Sequence, residues 1–179
     1  MSIPRPLGRS APTRPALALL TIVGSLILAP TPPALGACTD VAQEGVVWRR
    51  CYHDGRNLEG ADLRGATLRD TSFQRAILKG ADLRGAKGFR TRFVSADMRG
   101  ADMTGADMNE ADFTKADLSD AILRDTDLRR ARFFRAVLRG ADLTGADLEL
   151  ADLLHADLSG ATWIDGQRVC ADDSIGQCN

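Results

Sequence analysis

The sequence is poor in aromatic residues: six Phe, two Trp and one Tyr make up 5% of 179 residues. It holds only two His and four Cys. Neither His53 nor His155 opens a metal-ligand spacing, and the cysteine spacings match no zinc pattern. There is no Gly-x-Ser-x-Gly elbow, no phosphate-binding loop and no Cys–His pair. His155 stands near Asp157 and Ser159, but on an alternating extended step these three side chains do not converge as a triad. No catalytic residue, cofactor or metal site is therefore expected; the alternative of calcium between stacked Asp carboxylates is disfavoured. Net charge is scarce as well, at −1. That removes the electrostatic ground for nucleic acid as a partner. Disorder does not fit 44% apolar residues at that balance. A long coiled coil does not fit 17 Gly and 7 Pro.

The one long apolar run covers residues 16–29, shorter than the roughly 20 residues a membrane-spanning helix needs. Arg5, Arg9 and Arg14 precede it, and small residues follow its prolines. A basic region, a short apolar core and a small-residue site read as a secretory signal peptide over residues 1–37. An uncleaved membrane-anchored leader is the alternative. Two processing routes stay open. Ala34 and Gly36 suit ordinary cleavage near Ala37, whereas Leu35-Gly36-Ala37-Cys38 has the form of a lipobox that would place a lipid on Cys38. Prolines 30, 32 and 33 separate that lipobox from the apolar core. Four cysteines remain after the leader, an even number that pairs fully only if Cys38 carries no lipid. A periplasmic or secreted protein is the preferred reading, and contact with a membrane is expected only through a lipidated Cys38 or an uncleaved leader.

What is abundant is ordered. Every fifth residue from Leu58 to Trp163 is Leu, Phe, Met or Trp, except Gly88. Two residues earlier, from position 61 to 161, the chain carries Ala, or Thr at 71, 91 and 126. Asp commonly stands between them, giving Ala-Asp-Leu-x-x as in Ala61-Asp62-Leu63-Arg64-Gly65. A period of five fits neither a helix nor a simple strand. It fits a three-residue extended step, Ala and Leu inward and Asp outward, followed by a two-residue corner. A longer period of twenty is visible in Gly-Ala-Asp at 60, 80, 100 and 140 and in Phe73, Phe93, Phe113 and Phe133. Four steps then close one coil of square section, and about 5.5 coils stack roughly 4.8 Å apart.

These two periods resemble those of the pentapeptide-repeat proteins. The resemblance covers residues 56–165 and implies an all-β fold, a right-handed quadrilateral parallel β-helix. Handedness comes from the resemblance alone. Some cytosolic members of that family mimic DNA and modulate topoisomerases. The leader and the many outward Arg argue against that role here.

Boundaries follow: an N-terminal cap at 38–57, the β-helix at 58–165, and a disulfide-closed C-terminal cap at 166–179. Trp48 and Tyr52 are expected to cover the first coil and Trp163 to plug the last. Cys38 with Cys51, and Cys170 with Cys178, are the local pairings, chosen from three connectivities. Phe73, Phe93, Phe113 and Phe133 form one core ladder. Gly88 leaves a hole, and a one-residue bulge that swings Phe89 inward is expected to fill it. Outside, Asp–Arg pairs are expected to neutralise the Asp ladders. One stripe is basic and partly apolar: Arg75, Lys115, Arg135 and His155, beside Val94, Phe134 and Leu154. It is the candidate face for an unknown protein partner. The functional expectation is a non-enzymatic structural or interaction module of the cell envelope; a lipid-anchored scaffold is the alternative.

Overall fold

The computed structural model describes residues 37–179; apart from Ala37, the leader assigned above lies outside the described residues. From Val46 to Asp165 the backbone repeats one five-residue step. Its second residue bridges to the neighbouring coils, and its fourth and fifth turn a corner. Twenty parallel bridges join residues twenty apart, from Val47–Thr67 to Asp142–Thr162. Four steps therefore close each coil, and four faces result. They are named here by their first bridging residue: the Val47, Tyr52, Asn57 and Asp62 faces.

The sequence motif follows from the hydrogen bonding. The third and fifth N–H groups donate to the next coil, as Leu63 N–H does to Asp82 O at 2.7 Å and Gly65 N–H to Arg84 O at 2.9 Å. The second donates to the previous coil, as Asp82 N–H does to Ala61 O at 2.9 Å. The first closes the corner, as Ala66 N–H does to Leu63 O at 3.1 Å. Only the fourth N–H is left over, and the Asp two residues before it accepts that bond. Thr104 N–H reaches Asp102 Oδ1 at 2.9 Å, and Thr114 N–H reaches Asp112 Oδ1 at 2.9 Å. This Asx-type turn is why Asp recurs at the second position. The fifth residue is left-handed at the corners, with φ +58° at Arg75 and +61° at His155. Non-Gly residues are uncommon there, so the coil bonding must hold them.

The interior is narrow. Ala at the first position is buried throughout the central coils, as at Ala86, Ala106 and Ala131. Where Thr replaces it, the hydroxyl is buried and donates to a carbonyl of the previous coil: Thr91 to Leu68 O at 2.8 Å and Thr126 to Met103 O at 2.8 Å. Ala106→Leu would force three extra carbons into this column. It is expected to destabilise the fold by about 1–3 kcal/mol in urea melts; an unchanged midpoint would show that the column has slack.

The Phe ladder is continuous. Phe73, Phe93, Phe113 and Phe133 are fully buried. Successive rings lie 5.4, 5.1 and 4.9 Å apart, within 6–9° of parallel. The coil spacing sets this near 4.8 Å.

Three expectations require correction. First, the helix begins before residue 58. Val46-Val47-Trp48 and Cys51-Tyr52-His53 are already regular steps. Trp48 and His53 occupy the large inward position and are buried, and His53 stacks on Phe73 at 5.4 Å. Tyr52, expected to cover the first coil, sits at the outward position and is 75% exposed. Second, there is no bulge at Gly88. The bridge Lys87–Asp107 keeps the register of twenty, and Phe89 stays at an outward corner. Met108 of the next coil fills the hole instead: its Sδ crowds the position a Cβ on residue 88 would take. An unbranched Met can reach into such a gap. Third, Trp163 is only partly buried. The last coil is covered by residues 166–179, which run back antiparallel with bridges Thr162–Val169 and Asp157–Ile175.

Both caps are pinned. Cys38 is bonded to Cys51 (Cα–Cα 5.4 Å) and Cys170 to Cys178 (Cα–Cα 4.8 Å). Two disulfides with no free thiol among the described residues point to an oxidising compartment.

Candidate interaction surface

Among the described residues no group of three or more acidic, His or Cys side chains converges as a metal site. What the structure offers instead is a set of stacked faces of different charge.

On the Asp62 and Asn57 faces the Asp ladders are clamped by Arg from the following corner. Arg64 grips Asp62 with both prongs, at 2.9 and 2.7 Å. Arg84 does the same to Asp82, and Arg99 to Asp97. Arg64 also reaches Asp82 of the next coil at 3.7 Å. These bonds, from Arg64 first, hold the Asp62 carboxyl down to about 2, well below the usual carboxylate range. Arg90 bonds Glu110 at 2.7 Å, and Arg130 lies 3.8 Å from the same Glu. The pairing expected from sequence is thus partly within a step and partly between coils.

The Tyr52 face breaks the Asp rule. Its bridging residues are Tyr52, Ser72, Arg92, Asp112, Arg132 and Asp152. Arg92 and Arg132 face outward there. One flanking corner carries Arg49, Arg50, Arg69, Arg90, Arg129 and Arg130; the other carries Arg75, Lys115 and Arg135. Against these eleven bases stand six acids: Asp54, Asp70, Glu110, Asp112, Glu149 and Asp152. The rest of the chain from Ala37 onward has nine bases and eighteen acids. A near-neutral total therefore conceals one basic side on an acidic body.

The stripe expected from sequence forms one edge of this basic side. Arg75, Lys115, Arg135 and His155 are exposed at the corner, Val94 and Phe134 are half-buried, and Leu154 is 57% exposed. Their columns are adjacent, so the structure brings them together. Phe134 is not bare: Arg135 lies over its ring at 5.2 Å, and His155 meets it edge-on at 5.8 Å.

The opposite edge was missed. Arg49, Arg50, Arg69, Asp70 and Arg90 line an open groove of about 530 Å³. Phe89 lies beside it, with the guanidinium groups of Arg69 and Arg90 at 4.6 and 4.7 Å from its ring centre. The signal was present in the column Arg49, Arg69, Phe89. It needed Trp48-Arg49-Arg50 to be read as a coil step rather than as a cap.

A four-sided β-helix built from five-residue steps defines a class before any comparison. The family model for pentapeptide repeats matches in eight copies, over residues 57–87, 91–130 and 131–162. The chain belongs to the pentapeptide repeat family. The match breaks at 88–90, where Gly88 replaces the large inward residue, although the bridging does not break there. Among solved structures the chain is similar to HetL, a pentapeptide repeat protein involved in heterocyst differentiation regulation from the cyanobacterium Nostoc sp. strain PCC 7120. Identity is 29% over 69% of this chain and 66% of that one, with a TM-score of 0.33. The chain thus spans just under two thirds of HetL. It is also similar to QnrB1, a plasmid-mediated fluoroquinolone resistance protein, at 20% identity over 72% and 79%, with a TM-score of 0.38. A pentapeptide repeat protein of the Arabidopsis thaliana thylakoid lumen gives 28% identity over 70% and 85%, with a TM-score of 0.22. No curated protein matches the chain.

Proposed function

We propose that this protein is an exported, non-enzymatic interaction module of the cell envelope that receives an acidic protein partner on its Tyr52 face. The carrying observation is the split of charge: eleven bases and six acids on one side, nine and eighteen on the rest. A basic patch rimmed by half-buried apolar residues suits an acidic surface with an apolar centre. The stripe Arg75, Val94, Lys115, Phe134, Arg135, Leu154 and His155 is the proposed edge of contact. The coil is taken as right-handed and of about 5.5 to six turns, because the two added steps lengthen the rod. Export is supported by the leader pattern and by two disulfides. Lipid anchoring is disfavoured, because the Cys38 sulfur is bonded to Cys51. DNA mimicry is disfavoured by the same basic side, which a phosphate-like surface would not carry.

A photo-cross-linking residue placed at Phe134 or Leu154 is expected to give protein adducts in envelope fractions. The same residue at Lys79, on a corner away from the Tyr52 face, is expected to give none. Replacing Arg92 and Arg132 together by Glu should abolish the adducts. Equal labelling from Lys79, or adducts indifferent to the charge reversal, would overturn this assignment.

A further inference from the structure

The two ends of the rod differ in how their edges are closed. Inside the helix, the third and fifth N–H of each step donate to a carbonyl nineteen residues on, as Leu128 N–H does to Asp147 O and Arg130 N–H to Glu149 O, both at 2.9 Å. At the C-terminal end the chain has turned back along the Asn57 and Asp62 faces only. Leu158 and Gly160 N–H find Ser174 and Cys170 carbonyls there. Among the described residues nothing follows on the Val47 face, and on the Tyr52 face only Gly176 comes close, against the backbone of Leu153 and His155. The N–H groups of Leu148, Leu150 and Leu153 have no backbone partner among the described residues. Beside them Leu150 is 71% and Leu154 57% exposed.

The N-terminal end carries the counterpart on these two faces, and open carbonyls continue there onto the Asn57 face at Asn57 and Glu59. The carbonyls of Val47, Arg49 and Tyr52 receive no backbone N–H among the described residues. Residue 47 stands to residue 147 as one bridging position to another on the same face, so the missing acceptors for Leu148, Leu150 and Leu153 are matched in order and spacing. Charge agrees with register. Residues 141–179 hold eight acids and one base, whereas residues 37–75 hold six of each, with Arg49 and Arg50 together at the edge in question. In this register Glu149 falls next to Arg49. The apolar surface agrees as well: Tyr52 and Val41 at the N-terminal end are 75% and 69% exposed.

We propose that a second copy of this chain docks head to tail, its Val47 and Tyr52 edge continuing the sheet beyond Leu148–Leu153. The N-terminal cap covers the core above Trp48, so the contact is an edge-to-edge strand addition along two faces rather than a full continuation of the core. Such a contact is heterologous and leaves both ends free, so association is open-ended.

Sedimentation velocity of the purified protein over a concentration series tests this. At low salt the weight-average mass is expected to rise past that of a dimer, and to fall back at about 0.5 M salt, where the Debye length is only a few ångströms. Glu149→Arg and Arg49→Glu each place like charges across the joint, and each variant alone is expected to remain monomeric. Mixed in equal amounts they restore an Arg–Glu pair at every joint, and association is expected to return. A wild type that stays monomeric at all concentrations overturns the proposal. So does a dimer that persists in Arg49→Glu, which would indicate pairing of C-terminal ends, or a mixture that fails to associate.

Discussion

Phe113→Ala is expected to lower stability by about 3–5 kcal/mol, the cost of a large buried ring lost without refilling. Phe113 is fully buried between Phe93 at 5.1 Å and Phe133 at 4.9 Å. The cavity cannot collapse, because the coil backbone around it is fixed by bridges on every face. The lesion also falls in mid-rod, where a solenoid depends on contacts between nearest neighbours. Phe134→Ala provides the contrast. It stands one residue past the Phe133 ring, at a corner, half-buried and facing outward. Its loss is expected to cost no more than about 0.5 kcal/mol, as at most surface positions. Urea denaturation of both variants reads the difference. Similar losses for the two would contradict the inward and outward assignments.

Acidification should weaken the N-terminal coil before it touches the Asp ladders. His53 is buried in the first coil, with its Nδ1 accepting a bond from Arg56 at 2.8 Å and its Nε2 without a partner among the described residues. Burial, and then the Arg56 charge, lower its pKa from 6.5 to about 4. The sign follows from proton counting. Between those two values the unfolded chain binds a proton that the native chain does not, so stability is fully present above about 6.5 and lost as pH falls toward about 4. About 3 kcal/mol is the upper end of that loss for a shift of this size, reduced by whatever solvent reaches the ring. The Asp62 carboxyl, held down to about 2 by Arg64, gives up its stabilisation only at lower pH, so the windows separate. His53→Phe should remove the drop between 6.5 and 4 and extend the Phe ladder by one ring. A wild-type stability curve that is flat across that window would contradict the buried neutral His.

The coil was legible because each residue type has one station, so a period of five and a period of twenty survive in a one-dimensional string. Legibility failed where chemistry replaced the motif without changing the backbone. Val46-Val47-Trp48 and Cys51-Tyr52-His53 do the work of Ala-Asp-Leu with different side chains, and only the bridge from Val47 to Thr67 reveals it. Gly88 was legible as a gap, but its remedy was not. The filling atom comes from Met108, one coil further along, and nothing in the sequence around Gly88 points that far. The basic side was half legible. Arg75, Lys115 and Arg135 share a column that can be read by counting. Arg49 and Arg50 were hidden in a segment read as a cap. The role of Asp as the acceptor for the fourth N–H was also missed, since repetition shows that a residue is needed but not which atom it serves.

The proposed export of this disulfide-capped rod is tested most directly by the mass of the protein recovered from the producing cell. The expected chain begins at or beside Ala37, carries no added lipid, and gains four reactive thiols only after unfolding and reduction. A retained leader, a diacylglyceryl group on Cys38, or four thiols reactive without reductant would contradict it.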